Sequence, residues 1–232
     1  MIKLLAVDID GTLTHKDRRL DAVGMEAVRR AEAAGIRVVI ATGNVLSFAQ
    51  AAAVMIGASG PLIAEDGGIV YDPAEEREYI LGDRVDADRG LAALEKAFKN
   101  VVPHRSTLQR RTGITIRKNI TVEDAEKVIQ SQGLPIVAVD SGFAIHLKSP
   151  DVNKGNALRK VSSVTKVPLE EIAAIGDGGN DIEMLRTAGL SYAVANAAEA
   201  VKRASKRVTH SAHGEGVAEA VDEIISLSGE RS

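Results

Sequence analysis

The chain opens with an unbroken apolar run, Leu4-Leu5-Ala6-Val7, that turns acidic at Asp8. Such a run suits a strand buried on both faces, since a half-solvated strand would alternate. The period then changes: Leu20, Val23, Ala27, Ala31 and Ala34 recur at helical spacing, opposed by Glu26, Arg29, Arg30 and Glu32. Asp21 predicts the N-cap of this helix and Gly35 its end. A second β-branched run, Ile36 to Ala41, stops at Thr42-Gly43-Asn44. A helix is expected from Val45 to about Ile56, closed by Gly57, and Leu62-Ile63-Ala64 gives a third strand. Strand and helix alternating in this way imply a parallel sheet with right-handed crossovers.

After Tyr71 the pattern breaks. Asp72 to Gly82 is polar and turn-rich. A helix over 87–98, a strand over 113–117 and a helix opened by Thr121-x-x-Asp124 follow. Strands over 135–139 and 143–147, joined by Asp140-Ser141-Gly142, complete an α+β segment. Alternation then resumes, with helices over 154–164, 182–188 and 217–227 and strands over 172–175 and 190–194. The expected fold is α/β: a Rossmann-like, doubly wound parallel sheet from residues 1–81 and 153–232, with a smaller α+β insert at 82–152.

Composition narrows the chemistry. With 232 residues, 45% hydrophobic and 26% charged, the chain can bury a sizeable core. It has no cysteine, which excludes disulfides, thiolate metal sites and thiol nucleophiles. Aromatics are only 3% and the formal charge is −3, so neither a stacking platform nor a basic footprint points to nucleic acid. No run approaches the ~20 apolar residues of a membrane helix. The apolar start ends at Asp8 without a signal-peptide cleavage site, so a cytoplasmic protein without a membrane partner is expected, as monomer or homodimer.

In open α/β sheets ligands bind at the carboxyl ends of the strands, and the unusual polar residues fall there. Asp8 and Asp10, at i and i+2 of an extended segment, share a face, where paired carboxylates call for a cation or a shared proton. A surface Asp-Gly turn is the plainer alternative. Gly176-Asp177-Gly178-Gly179-Asn180-Asp181 supplies two more acids with the hard oxygens that suit Mg²⁺. Asp181 occupies the place where a dinucleotide fingerprint needs glycine. Thr42-Gly43 and Lys154-Gly155 are weak signals alone. Beside the acids, a hydroxyl, a free amide and an ammonium are what a phosphoryl group requires. No Gly-x-Ser-x-Gly elbow, Walker loop or His-Glu-x-x-His helix is present. His210 and His213 read as a solvated loop, and His15, His104 and His146 have no recognisable partners.

Asp8-x-Asp10-Gly-Thr12, Thr42-Gly43, Lys154-Gly155 and Gly176-Asp177-Gly178-x-Asn180-Asp181, in this order, resemble the four motifs of the haloacid dehalogenase superfamily. The insert between the second and third motifs resembles its subclass with an α/β cap there, as does the Gly214-Glu215-Gly216-Val217-Ala218 helix opening. Within that subclass, the short cap and Ile40-Ala41-Thr42-Gly43-Asn44-Val45-Leu46 are most similar to the archaeal phosphoglycolate phosphatases. Thr42-Gly43-Asn44 departs from the more frequent Thr-Gly-Arg, and Glu65-Asp66-Gly67-Gly68 has Asp where many relatives carry Asn. The resemblance implies a phosphatase with Asp8 as nucleophile and Asp10 as general acid–base. It also implies Mg²⁺ held by Asp8, the Asp10 carbonyl, Asp177 and Asp181, and phosphate held by Thr42, Gly43, Lys154 and Asn180. The substrate is a small-molecule phosphate ester: 2-phosphoglycolate, or alternatively a sugar or sugar-acid phosphate. A phosphomannomutase-like transferase and an Asp-phosphoacceptor signalling module are the further alternatives. Arg105, Arg111, Arg117 and Lys118 are the candidate cap cations for the leaving group.

Overall fold

A computed structural model describes residues 1–141 and 144–229. Its main sheet has eight strands: β1 (Leu4–Asp8), β2 (Arg37–Ala41), β3 (Leu62–Ala64), β4 (Ile69–Asp72), β5 (Arg77–Ile80), β9 (Ile172–Gly176), β10 (Leu190–Ala193) and β11 (Arg207–Val208). Their order is β11-β10-β9-β1-β2-β3-β4-β5. β6 (Gly113–Ile116), β7 (Val137–Asp140) and β8 (Ile145–Lys148) form a separate sheet in the order β6-β8-β7.

Among the described residues the eight α-helices are α1 (Ala22–Ala33), α2 (Leu46–Ile56), α3 (Val85–Ala97), α4 (Val122–Ser131), α5 (Lys154–Thr165), α6 (Ile182–Thr187), α7 (Glu199–Ala204) and α8 (His213–Gly229). Alternation along β1 shows the double winding. Leu5 and Val7 pack with α1, α2 and α8, whereas Leu4 and Ala6 pack with α5, α6 and α7 on the other face. A third core joins Ala87, Leu94, Ala125 and Ile129 of α3 and α4 to Ile114, Ile116, Ile145 and Leu147 of the small sheet. The expected fold class is the one the chain adopts.

Three details differ. The sheet is parallel only from β11 through β3; β4 and β5 continue it antiparallel. The polar Asp72–Gly82 segment hides β5 because an exposed edge strand is naturally charged, here Arg77-Glu78. The buried face of α1 is Gly24, Ala27, Val28 and Ala31, whereas Leu20 and Val23 are exposed. The face turns because Gly24 meets α8: a Cβ there would lie 2.8 Å from the Gly214 Cα. Finally, β7 and β8 pair antiparallel with Asp140 opposite Ile145, but Gly142 of the expected turn and Phe143 of the expected strand lie outside the described residues. Asp21 does cap α1, accepting from the Val23 amide, and Gly57 closes α2 with φ 94°. Among the described residues no helix is long and apolar enough to cross a membrane.

Candidate active site

β9, β1 and β2 lie side by side in parallel, with Leu4 opposite both Arg37 and Ile172. Their carboxyl ends therefore bring Asp8, Thr42 and Asp177 together. Gly11 permits the approach of the first and last loops: its φ is +93°, and a Cβ would stand 2.3 Å from an Asp177 carboxylate oxygen.

Lys154, at the start of α5, is fully buried between two acids. Its Nζ donates to Asp8 Oδ1 at 2.5 Å and to Asp181 Oδ1 at 2.6 Å. Burial alone would lower the affinity of this ammonium for its proton, but Asp181 and Asp8 outweigh it and raise it. Burial pushes the Asp8 carboxyl well above its ordinary range; Asp181 and then Asp177 push the same way against the Lys154 charge. Asp177 is pushed up to about 6, by burial first and Asp181 next. One oxygen from each of Asp8, Asp177 and Asp181 lies within 4.8 Å of the others. An all-oxygen donor set with carboxylates crowded beyond what water tolerates fits a hard divalent cation such as Mg²⁺. Within it the second Asp181 oxygen is taken by the amides of Asp177 (3.1 Å) and Gly178 (2.9 Å), and Asp177 accepts from the Thr12 hydroxyl at 2.8 Å.

Asp10 is placed differently. Its carboxylate accepts from Asn44 Nδ2 at 2.7 Å and from Arg18 Nε at 2.9 Å, and it is not part of the three-carboxylate group. Asn44 also donates to the Thr42 hydroxyl at 3.0 Å, so it ties the second strand's loop to the first. Asn180 donates to Asp66 Oδ1 at 3.1 Å.

A cavity of about 650 Å³ opens over these residues. Asp8, Asp10, Gly43, Asn44, Asp177 and Asn180 line its floor; Thr42, Lys154 and Asp181 lie fully buried behind them. The small sheet forms its roof. Along β8, Ile145 and Leu147 face α3 and α4, so His146 and Lys148 face the main sheet, and Thr115 does so from β6. Sequence reasoning left His146 without a partner; the Ile145-His146-Leu147-Lys148 alternation is the signal that could have found it.

The cations expected here are not the ones present. Arg105 and Arg117 are exposed, Arg111 pairs with Glu78 at 2.7 Å and Lys118 with Asp140 at 2.7 Å; none lines the cavity. Arg110 does. It is 6% exposed, Nη2 donates to the Gly43 carbonyl, and Nε has no hydrogen-bond partner among the described residues. Arg110 is extended (φ −82°, ψ 143°), so it and Arg111 point opposite ways. The histidines also have partners: His146 pairs with Asp66, His15 with Asp21, His210 with Glu219, and His213 lies 2.8 Å from the Gly11 carbonyl.

A haloacid dehalogenase-like hydrolase family model matches residues 5–133 and 114–221. The chain belongs to the haloacid dehalogenase-like hydrolases. It is 40% identical over 220 residues to a phosphoglycolate phosphatase of Methanothermobacter thermautotrophicus, covering 95% of this chain and 97% of the relative. It is 41% identical to one of Archaeoglobus fulgidus, covering 94% and 95%. Among solved structures, protein 0175 of Thermoplasma acidophilum matches with TM-score 0.88 and 27% identity, covering 98% of this chain and 99% of that one. Family membership accounts for the order of the four motifs along the chain, and the packing above shows what brings them to one place.

Proposed function

We propose that this hydrolase is a Mg²⁺-dependent phosphomonoesterase working through an aspartyl-phosphate on Asp8, with 2-phosphoglycolate as substrate and residues 82–152 as its cap. The observation that supports it most is the pairing, at the floor of one cavity, of the Asp8 carboxylate with Lys154 and two further acids beneath a basic roof. Near-complete coverage by relatives bearing the phosphoglycolate phosphatase name points the same way.

Asp8 attacks phosphorus in line as the ester oxygen leaves, and Asp10 protonates that oxygen; Asp10 then takes a proton from the water that cleaves the acyl phosphate. Asn44 and Arg18 hold the Asp10 carboxylate in place for both transfers. Lys154 opposes the burial that raises the Asp8 carboxyl and steadies the charge that spreads over the phosphoryl oxygens. The Gly43 amide, Thr42 and Asn180 complete the cradle. Asp8, Asp177, Asp181 and the Asp10 carbonyl would hold Mg²⁺, which lowers the repulsion between anionic nucleophile and anionic substrate.

The roof supports an acidic leaving group. A buried guanidinium N–H without a partner is costly, and the Arg110 Nε and the Thr115 hydroxyl are both in that position beside the cavity. A carboxylate one methylene from the phosphoester would meet them, because Arg110 is anchored on Gly43 itself. One observation favours a sugar phosphate instead: the cavity volume exceeds what a two-carbon acid fills.

Phosphate release from 2-phosphoglycolate, sugar phosphates and p-nitrophenyl phosphate, with Mg²⁺ or EDTA, tests this. Turnover should require the metal, be led by 2-phosphoglycolate, and fall on the order of a thousandfold or more in Asp8→Asn. Turnover led by a sugar phosphate would keep the mechanism and replace the substrate. Phosphate returned to substrate, with dependence on a bisphosphate, would mean a mutase.

A further inference from the structure

Glu65-Asp66-Gly67-Gly68, the turn after β3, has no part in the chemistry above and yet touches every side of the site. Its backbone is left-handed at three successive residues, Glu65 (φ 52°), Asp66 (φ 58°) and Gly67 (φ 101°). Residues other than glycine hold that conformation only where the surroundings dictate it. Here the Glu65 amide donates to the Asn44 carbonyl (2.8 Å) and the Asp66 amide to the Thr42 carbonyl (3.2 Å), lacing the turn to the loop that carries Gly43. Gly67 lies against the start of α5, where a Cβ would stand 2.2 Å from the Asn153 carbonyl oxygen and 2.8 Å from the Lys154 nitrogen. Upward, the buried Glu65 carboxylate accepts from the Arg111 amide (3.0 Å), the Thr112 amide (2.9 Å) and the Thr112 hydroxyl (2.7 Å).

Asp66 sits at the centre of these contacts and is 2% exposed. One oxygen accepts from Asn180 Nδ2; the other pairs with His146 Nδ1 on the roof. A Cβ on Gly43 would be 2.7 Å from Asp66 Oδ1, so the carboxylate also braces that glycine. Burial would push the Asp66 carboxyl up, but His146, Lys148 and Arg110 outweigh it and hold it well below the usual carboxylate range. All three are roof residues: the main sheet supplies the carboxylate with an amide, and the roof supplies its positive charge. A buried carboxylate deprived of its cations is strongly disfavoured.

We propose that Asp66 is a positioning residue that couples seating of the cap to the phosphate cradle, holding Asn180 and Gly43 in place only while His146 is docked on it. The proposal rests on Asn180 and Gly43 belonging to the cradle and is independent of which phosphoester is the substrate. The effect of His146 on turnover therefore passes through Asp66 to Asn180.

Kinetic cycles on whichever phosphoester of the panel turns over fastest test it. Asp66→Asn keeps an acceptor for Asn180 and removes the charge; His146→Gln removes the roof partner at similar size. Each should lower kcat about tenfold, and the double variant should fall no further than the worse single. In an Asn180→Ala background, His146→Gln should lower kcat by less than twofold more. A purely structural ion pair would lower the melting temperature without this dependence on Asn180. An unchanged kcat in His146→Gln, or the same tenfold loss with and without Asn180, would overturn the proposal. If Asp66→Asn does not fold, the His146 and Asn180 pair alone decides. Turnover of other esters but not 2-phosphoglycolate would remove the substrate assignment and leave these outcomes readable.

Discussion

Asp177 accepts from Thr12, approaches Asp8 and Asp181, and has its carboxyl pushed up to about 6. For an acid whose pKa in the folded protein lies above its value of 3.8 when unfolded, the protonated form favours the fold. The contribution is therefore fully present below pH 3.8 and is lost as pH rises through 6. In EDTA, Asp177→Asn should be more stable than the native chain at pH 7.5, by at most about 3 kcal/mol from a shift of that size. The advantage should shrink as pH falls toward 4, as denaturant melts at each pH would show. With excess Mg²⁺ the order should reverse, because a ligand that binds only the folded chain stabilises it; the same order with and without the metal would remove Asp177 from the cation site. Acids at the ends of apolar runs are legible in a sequence because burial makes them conspicuous. Arg110 is not, because an extended Arg110-Arg111 pair gives no sign of which side chain faces the cavity until the roof is built.

Between elements, spacing alone misplaces a face when glycine makes the contact. The α1 stripe read from Leu20 and Val23 assumes that large apolar residues point inward, yet α1 and α8 approach through Gly24 and Gly214, and the stripe shifts. Alanine in place of a helical glycine ordinarily stabilises by about 0.5–1 kcal/mol. Gly24→Ala should instead destabilise by about 1–2 kcal/mol, since its Cβ would stand 2.8 Å from Gly214 Cα and 3.2 Å from a Leu13 methyl. Chemical denaturation measures this, with kcat retained because no residue of the cradle moves. Stabilisation would mean the two helices separate easily. The same blindness hid β4 and β5, whose antiparallel pairing only the finished sheet edge reveals. The strands with apolar cores, β1, β2, β3 and β9, are legible because burial on both faces leaves no room for other residues.

Across the whole molecule, the main sheet with its two cores and the small sheet with the third meet along a polar seam. The connections between them run side by side at Gly82 and Val152, where a Cβ on the glycine would lie 2.4 Å from a valine methyl. Contacts that close the seam include Glu65 on Thr112, Asp66 on His146, Arg110 on the Gly43 carbonyl and Arg111 on Glu78. Arg110 can thus serve to hold the small sheet down or, as proposed, to read the leaving group, and kinetics separates the two. Holding alone would affect every phosphoester alike. Reading a carboxylate affects only substrates that carry one, and a charge-assisted bond of this kind is worth about 1.5–3 kcal/mol, or about 10- to 100-fold in kcat/KM. Arg110→Met should therefore lower kcat/KM for 2-phosphoglycolate by about that factor while p-nitrophenyl phosphate changes by less than about threefold. Arg110→Lys should recover little, because a point charge cannot bond the Gly43 carbonyl and a carboxylate in the geometry of a planar fork. Arg105→Ala and Arg117→Ala, both on the exposed surface, should leave the ratio between the two substrates unchanged. An equal loss on both substrates in Arg110→Met would assign this residue to closing the seam, and the choice of leaving group to other roof side chains.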